Sequence, residues 1–146
     1  MIKIAFGCDH AGFPLKAIIM DYLRAHPDQY GVIDFGTDSA ASVDYPDFVH
    51  PAMRALQAGV ADLAILVCGS GNGVAITANK YQHVRAALCW NPELAQLARQ
   101  HNNANVLCLG TRFIHPELAL SITEQFLISA FEGGRHQRRV DKISVC

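Results

Sequence analysis

Five short apolar runs, separated by amphipathic segments, constrain the fold of this chain more than any other feature of its sequence. The runs do not alternate strictly between apolar and polar residues, which is typical of strands buried on both faces of a parallel sheet. Five β-α units in series predict an α/β fold: a three-layer, Rossmann-like, doubly wound parallel sheet of five strands with a C-terminal tail. The predicted strands are Ile2–Phe6, Val32–Phe35, Leu63–Val67, Val84–Leu88 and Val106–Leu109.

The segments between these runs have helical periodicity. In the first of them, apolar residues from Leu15 to Leu23 recur at the i, i+3, i+4, i+7 and i+8 positions, and Pro14 suits a first helical turn. The tail, residues 132–146, is basic and opens with two glycines, so we expect it to leave the last helix and dock elsewhere. The other predicted helices are Pro46–Ala58, Gly73–Asn79, Pro92–Gln100 and a last long one with its apolar stripe over Ala119–Ala130.

Composition limits the classes of function. The 146 residues are 51% hydrophobic, enough for residues 1–146 to form one domain with a full core. The net charge of −1 gives no support to a nucleic-acid or membrane-surface partner. No apolar run approaches the roughly 20 residues that span a bilayer, and the N-terminal run is too short for a signal peptide. A cytoplasmic protein is therefore predicted.

The five cysteines are predicted to be reduced thiols, because their number is odd and no secretion signal precedes them. Cys108 is interpreted as a core residue and Cys146 as an exposed terminal thiol. No CxxC or HExxH spacing occurs, so no metal site is predicted.

Reactive side chains follow the predicted strands at their carboxyl ends, where open α/β sheets bind their ligands. Acid, imidazole, thiol, hydroxyl and guanidinium groups are therefore expected to converge on one edge of the sheet. The segments at this edge are Cys8-Asp9-His10, Asp44-Tyr45-Pro46, Cys68-Gly69-Ser70, Cys89-Trp90-Asn91 and Gly110-Thr111-Arg112.

Cys68 is the leading candidate for a catalytic group, because the loop Gly69-Ser70-Gly71-Asn72-Gly73 follows it directly. Glycine lets backbone N–H groups approach a ligand closely, and such groups at a helix N-terminus bind phosphate or a developing oxyanion. A nucleophile or base would then lie beside an anion-binding loop. The alternative is a small core cysteine followed by an ordinary tight turn. The loop matches neither the Walker A nor the GxGxxG pattern, which disfavours a dinucleotide site.

Three further groups have two interpretations each. Asp9 and His10 are either a helix cap or site residues. Arg135 and Arg139, four residues apart, are either a solvated face or a clamp for a phosphate dianion. His101 and Asn102 close the helix before the last strand, at the opposite edge of the sheet from Cys68, so they are structural or they serve the active site of a second subunit.

Segments along the whole chain resemble the type B ribose-5-phosphate isomerases, a family that also holds galactose-6-phosphate isomerase subunits and allose-6-phosphate isomerases. The match keeps the family's order and spacing from end to end. The matching segments are Gly7–Gly12, Asp34–Thr37, Val43–Asp47, Cys68–Gly73, Ala78–Lys80, Arg85–Cys89, Arg99–Asn102, Ala104–Leu107 and Glu132–His136.

The resemblance implies an isomerase without metal or cofactor that interconverts ribose 5-phosphate and ribulose 5-phosphate through a cis-enediolate, in the non-oxidative pentose phosphate pathway. It also implies a homodimer with shared active sites, often paired into a tetramer, with the tail docked at the subunit interface. A hexose 6-phosphate isomerase (allose or galactose type) and a non-catalytic sugar-phosphate-binding module remain alternatives.

The resemblance assigns roles to individual residues. Cys68 corresponds to the base that moves a proton between C1 and C2; some relatives use a glutamate just after the loop, where Val74 stands here. Ser70 corresponds to a hydroxyl that moves protons between sugar oxygens, and His101 to a histidine that helps to open the furanose ring. Asp9 corresponds to a group that bonds ring or hydroxyl oxygens. The implied substrate- and phosphate-binding residues are His10, Tyr45, Gly69, Gly71, Asn72, Gly73, Asn102, Arg112, Arg135 and Arg139.

Overall fold

The computed structural model describes residues 1–145, in which five strands alternate with the first five of six helices. Cys146 lies outside the described residues, and so does its predicted exposed thiol. The strands are β1 (Ile2–Cys8), β2 (Tyr30–Asp34), β3 (Leu63–Cys68), β4 (Ala86–Leu88) and β5 (Val106–Gly110). The helices are α1 (Phe13–Arg24), α2 (Tyr45–Gln57), α3 (Asn72–Ala78), α4 (Pro92–Asn102), α5 (Pro116–Ile128) and α6 (Arg135–Asp141).

All strand pairs are parallel, and the strands lie in the order β2-β1-β3-β5-β4. Helices α1, α4 and α5 contribute to the apolar core on one face of the sheet, and α2 and α3 to the core on the other. The predicted doubly wound α/β fold is confirmed. Strand β3 is buried along its whole length, which explains why its sequence shows no polar alternation.

Several predicted boundaries were wrong, most of them by one or two residues. Strands β1, β3 and β5 continue to Cys8, Cys68 and Gly110, because the ladders extend to the pairs Cys8↔Val67 and Cys68↔Gly110. Strand β2 begins two residues earlier than predicted, at Tyr30, which pairs with Ile2.

Strand β4 is shorter than predicted, because side-chain amides replace ladder bonds before it. The Arg85 N–H donates to Oδ1 of Asn105, and the Ala86 N–H donates to Oδ1 of Asn79. Helix α5 ends at Ile128 rather than Ala130, since Ser129 has extended backbone and its hydroxyl donates to the Gln125 carbonyl.

The tail turns back on its own chain. Its chain reversal uses Gly133 and Gly134, both at positive φ, where glycine carries no steric penalty. The Glu132 N–H donates to the Gln100 carbonyl over 3.0 Å, which ties the tail to the last turn of α4. Residues 135–141 then form α6, which contacts α4. Within residues 1–145, no helix has the length and hydropathy needed to cross a membrane.

Phe126 tests the packing of α5 on the sheet. Its side chain is fully buried, and truncating such an aromatic residue removes burial and leaves a cavity. We expect Phe126→Ala to lower the free energy of unfolding by about 3–5 kcal/mol, measured by denaturant unfolding at fixed protein concentration. Glu124→Ala, an exposed position of the same helix, should change it by less than about 0.5 kcal/mol. Equal effects of the two substitutions would contradict this packing.

Candidate active site

Cys68 is the last residue of β3, and its sulfur is held by the loop that follows it. The side chain is buried, and the Gly71 N–H donates a hydrogen bond to Sγ with a separation of 3.2 Å. This loop conformation requires glycine: φ of Gly71 is +78°, and a Cβ there would collide with the Leu88 side chain and lie 3.0 Å from the Leu109 carbonyl carbon. The N–H donor stabilises negative charge on the sulfur.

Ser70 is fixed in the same loop. Its Oγ accepts the Asn72 N–H at 3.2 Å, and its side chain is half-buried. Two of the loop N–H groups that the sequence suggested for a substrate oxyanion are therefore engaged inside the loop, one on the Cys68 sulfur and one on the Ser70 hydroxyl. Because the Ser70 oxygen accepts that bond, its own proton remains available to an outside acceptor.

The loop after β5 is hydrogen-bonded to the end of β3 and to the loop that follows it. The Thr111 N–H donates to the Cys68 carbonyl at 3.0 Å, and its hydroxyl donates to the Ala11 carbonyl at 3.1 Å. The Arg112 N–H donates to the Gly69 carbonyl, and the guanidinium lies so close to Gly69 that an added Cβ would be 3.1 Å from Cζ. A positive charge therefore lies beside the glycine loop.

The loops after β1 and β2 complete this edge. Asp9 is buried, and its Oδ1 accepts the Gly12 N–H at 3.0 Å, so it stabilises the turn into α1. The Val43 N–H donates to Nδ1 of His10, which leaves the ring proton of neutral His10 on Nε2. The half-exposed Tyr45 ring lies against Gly73, where a Cβ would be 2.6 Å from Cζ.

The structure divides the predicted site residues between two edges of the sheet. At the carboxyl edge, the loop contacts bring together Asp9, His10, Tyr45, Arg112 and the segment Cys68–Gly73. The remaining four are elsewhere: His101 and Asn102 end α4, beside the amino end of β5, and Arg135 and Arg139 are exposed on α6.

Two neighbours of His101 had no role in the sequence analysis. Nε2 of His101 lies 3.3 Å from Oε1 of Glu132, and its ring stacks on His136 with centroids 4.2 Å apart and planes 11° from parallel. Burial, followed by the charges of His101 and Arg135, lowers the pKa of His136. The sequence held one signal for these two residues. They begin and end the segment Glu132–His136, which resembles the family, but the resemblance assigned a role to neither of them.

His101, Glu132 and His136 are also the group of potential metal ligands that the described residues contain, with ligand atoms within 4.8 Å of one another. Their arrangement does not suit a shared ion. An imidazole lone pair lies in the ring plane, and the planes of two stacked, nearly parallel rings do not meet near the Glu132 carboxylate.

The thiols of Cys8, Cys89 and Cys108 differ from Cys68 in their surroundings. Burial raises the pKa of Cys8 to about 11 and that of Cys89 to about 12, and it raises the pKa of Cys108 well above its ordinary value. These three thiols are interpreted as packing residues, in agreement with the sequence interpretation of Cys108.

Selective alkylation should distinguish Cys68 from them. At pH 8, on the order of one in a thousand Cys8 thiols or fewer is ionised, so we expect iodoacetamide to modify Cys68 first in a Cys146→Ser background, as read by peptide mass spectrometry. The control Cys68→Ser should then show almost no labelling. Cys8 or Cys89 labelled as fast as Cys68 would contradict this assignment.

Comparison with known proteins gives concordant results. A family model for ribose/galactose isomerases matches residues 4–143. The chain is 47% identical to ribose-5-phosphate isomerase B of Escherichia coli, over 99% of this chain and 95% of that protein.

Solved structures agree. Ribose-5-phosphate isomerase B of Clostridium thermocellum superposes with a TM-score of 0.94 at 46% identity, covering 97% of this chain and 95% of that one. The type B enzyme of Trypanosoma brucei gives 0.94 at 43% identity, with 98% and 97% coverage. By sequence and by structure, the chain belongs to the ribose/galactose isomerase family.

Proposed function

We propose that this protein is an aldose–ketose isomerase that interconverts ribose 5-phosphate and ribulose 5-phosphate. The observation that carries the proposal is the Cys68 sulfur, held by the Gly71 N–H at the end of β3 beside Ser70 and Arg112. Its membership of the family supports a sugar isomerase, and the ribose-5-phosphate isomerase names of its relatives support the pentose rather than the hexose substrate.

In this mechanism Cys68 acts as the base. Its thiolate takes the C2 proton of the open-chain aldose, the electrons form an enediolate, and the proton returns to C1 to give the ketose. The Ser70 hydroxyl, whose oxygen is fixed by the Asn72 N–H, moves a proton between O1 and O2. Val74 is fully buried and apolar, so it offers no alternative base.

The phosphate and the sugar ring require residues from both edges of the sheet. His10 and Arg112 lie at the Cys68 edge, whereas His101, Asn102, Arg135 and Arg139 lie at the opposite edge. A second copy of the chain can present its α4 end and its α6 to the Cys68 edge of the first. We therefore propose a homodimer with two shared sites, in which the tail lies at the subunit interface. A tetramer and a cytoplasmic location stay predictions.

Loss of the base should abolish turnover. Cys68→Ala removes the only proposed acceptor for the C2 proton, so we expect kcat with ribose 5-phosphate to fall by at least about a hundredfold while sugar-phosphate binding persists. Turnover is measured by appearance of the ketose, and binding by calorimetry, both with a chelator present. Appreciable turnover by Cys68→Ala would refute the base assignment, and loss of wild-type activity in chelator would refute the metal-free mechanism.

Complementation tests the shared site. Cys68→Ala and His101→Asn subunits are each expected to be inactive as homodimers, but a mixed dimer contains one site with both residues intact. Refolding an equal mixture should restore about a quarter of wild-type activity, since half of the dimers are mixed and each has one intact site of two. No recovery, once native mass spectrometry has shown mixed dimers, would exclude sites built from two chains.

A further inference from the structure

We propose that Glu132 and His136 are positioning residues for His101: Glu132 keeps the proton of the His101 ring on Nε2, and His136 fixes the plane of that ring, so that Nδ1 performs the proton exchange of ring opening. This inference rests on the proposed isomerase function and adds two residues to it. It concerns the tautomer and orientation of His101.

The Glu132 carboxylate determines which nitrogen of His101 carries the proton. Oε1 of Glu132 lies 3.3 Å from Nε2 of His101. The pair is a charge contact at this distance. A carboxylate has only acceptor oxygens, so a proton on Nε2 places partial positive charge next to the carboxylate, whereas an unprotonated Nε2 would place its lone pair close to a negative charge. In neutral His101 this leaves Nδ1 as the nitrogen with a free lone pair.

His136 holds the ring plane. Its side chain is buried, whereas the side chain of His101 is 38% exposed, so the stack gives a partly exposed ring a fixed partner on one face. His136 lies farther from the carboxylate, 3.9 Å from Oε1. Burial and the neighbouring positive charges lower the pKa of His136, which favours a neutral ring in the stack against His101.

Main-chain hydrogen bonds hold Glu132 and His136 close to His101. The Glu132 N–H donates to the carbonyl of Gln100, the residue before His101, and the His136 N–H donates to the Gly133 carbonyl. The carboxylate and both rings are therefore tied to the end of α4 through main-chain bonds. The titratable and charged groups around His136 are His101 on α4, Glu132 on the connecting segment, and Arg135 and Arg139 on α6.

This geometry suits the proton balance of ring opening. The O1–H proton leaves, C1–O1 becomes a carbonyl, the C1–O4 bond breaks and O4 takes up a proton. Nδ1 of His101 can accept the O1 proton while Nε2 stays protonated beside Glu132. The resulting imidazolium is stabilised by the carboxylate and can then deliver the Nδ1 proton to O4, so that no outside acid or base is required.

The test compares two substrates in chelator. Ribose 5-phosphate must be opened, whereas 4-deoxyribose 5-phosphate lacks O4 and cannot form the furanose ring. For Glu132→Gln we expect kcat/KM to fall about tenfold or more with ribose 5-phosphate and to change less than about twofold with the analogue. Glu132→Asp, which keeps the charge, should recover part of the loss. The exposed Glu124→Gln should behave as wild type with both substrates.

A second readout reports the tautomer directly. Nitrogen-15 NMR of the histidine rings should show His101 protonated on Nε2 in the wild type and a mixture of tautomers in Glu132→Gln. His136→Gln should likewise lower kcat/KM with ribose 5-phosphate more than with the analogue, but it should leave His101 protonated on Nε2.

The outcomes separate cleanly. Three results would overturn the positioning role of Glu132. They are equal losses of kcat/KM on both substrates in Glu132→Gln, unchanged activity of that variant, and a His101 tautomer that is the same with and without Glu132. A requirement of the wild type for a metal ion in ring opening would also overturn this role, since His101, Glu132 and His136 would then be a metal site. An inactive wild type would instead overturn the proposed isomerase itself, whereas turnover by Cys68→Ala would overturn only the assignment of Cys68 as the base.

Discussion

The close contact between the glycine loop and the end of β5 is the interaction on which the rest of the site depends. The ladder pair Cys68↔Gly110 brings the two strand ends together, and a Cβ on Gly110 would collide with the Ser70 backbone. Gly71 can then adopt positive φ against Leu109, and its N–H reaches the Cys68 sulfur. Because these atoms are in backbone contact, the position of the thiol is set by the sheet and not by side-chain flexibility.

The same contact places the positive charge. The Arg112 main chain binds the Gly69 carbonyl, and its guanidinium covers the loop. Two backbone donors within the loop bond the Cys68 sulfur and the Ser70 hydroxyl. In the proposed mechanism the loop therefore fixes the reacting groups, and the Arg112 and His10 side chains beside it bind the phosphate. This division differs from a loop that cradles phosphate with its own N–H groups.

The second edge of the sheet has its own organisation. Strands all run in one direction, so a helix that returns the chain ends at the amino edge, and α4 carries His101 there. The tail adds Glu132, His136 and the α6 arginines to the same place. The histidine proposed for ring opening and the arginines proposed for phosphate binding lie in one cluster, away from the thiol of the same chain. This separation is the physical reason for the proposal that each site is built from two copies.

The sequence by itself determined the five strands, the helices between them and the reactive groups at the carboxyl edge, because these follow from hydrophobic periodicity and from the direction of parallel strands. It also placed His101 at the far edge, since that position is a consequence of topology. Only the tertiary structure decided that two loop N–H groups donate to Cys68 and Ser70. The same holds for the asparagine side chains that replace ladder bonds before β4, and for the contacts of Glu132 and His136 with His101. The contacts of the glycine loop and of the tail depend on the path of the chain through Gly71, Gly133 and Gly134, all at positive φ. A glycine permits such a turn but does not dictate its direction, which is fixed only when the segments on either side pack.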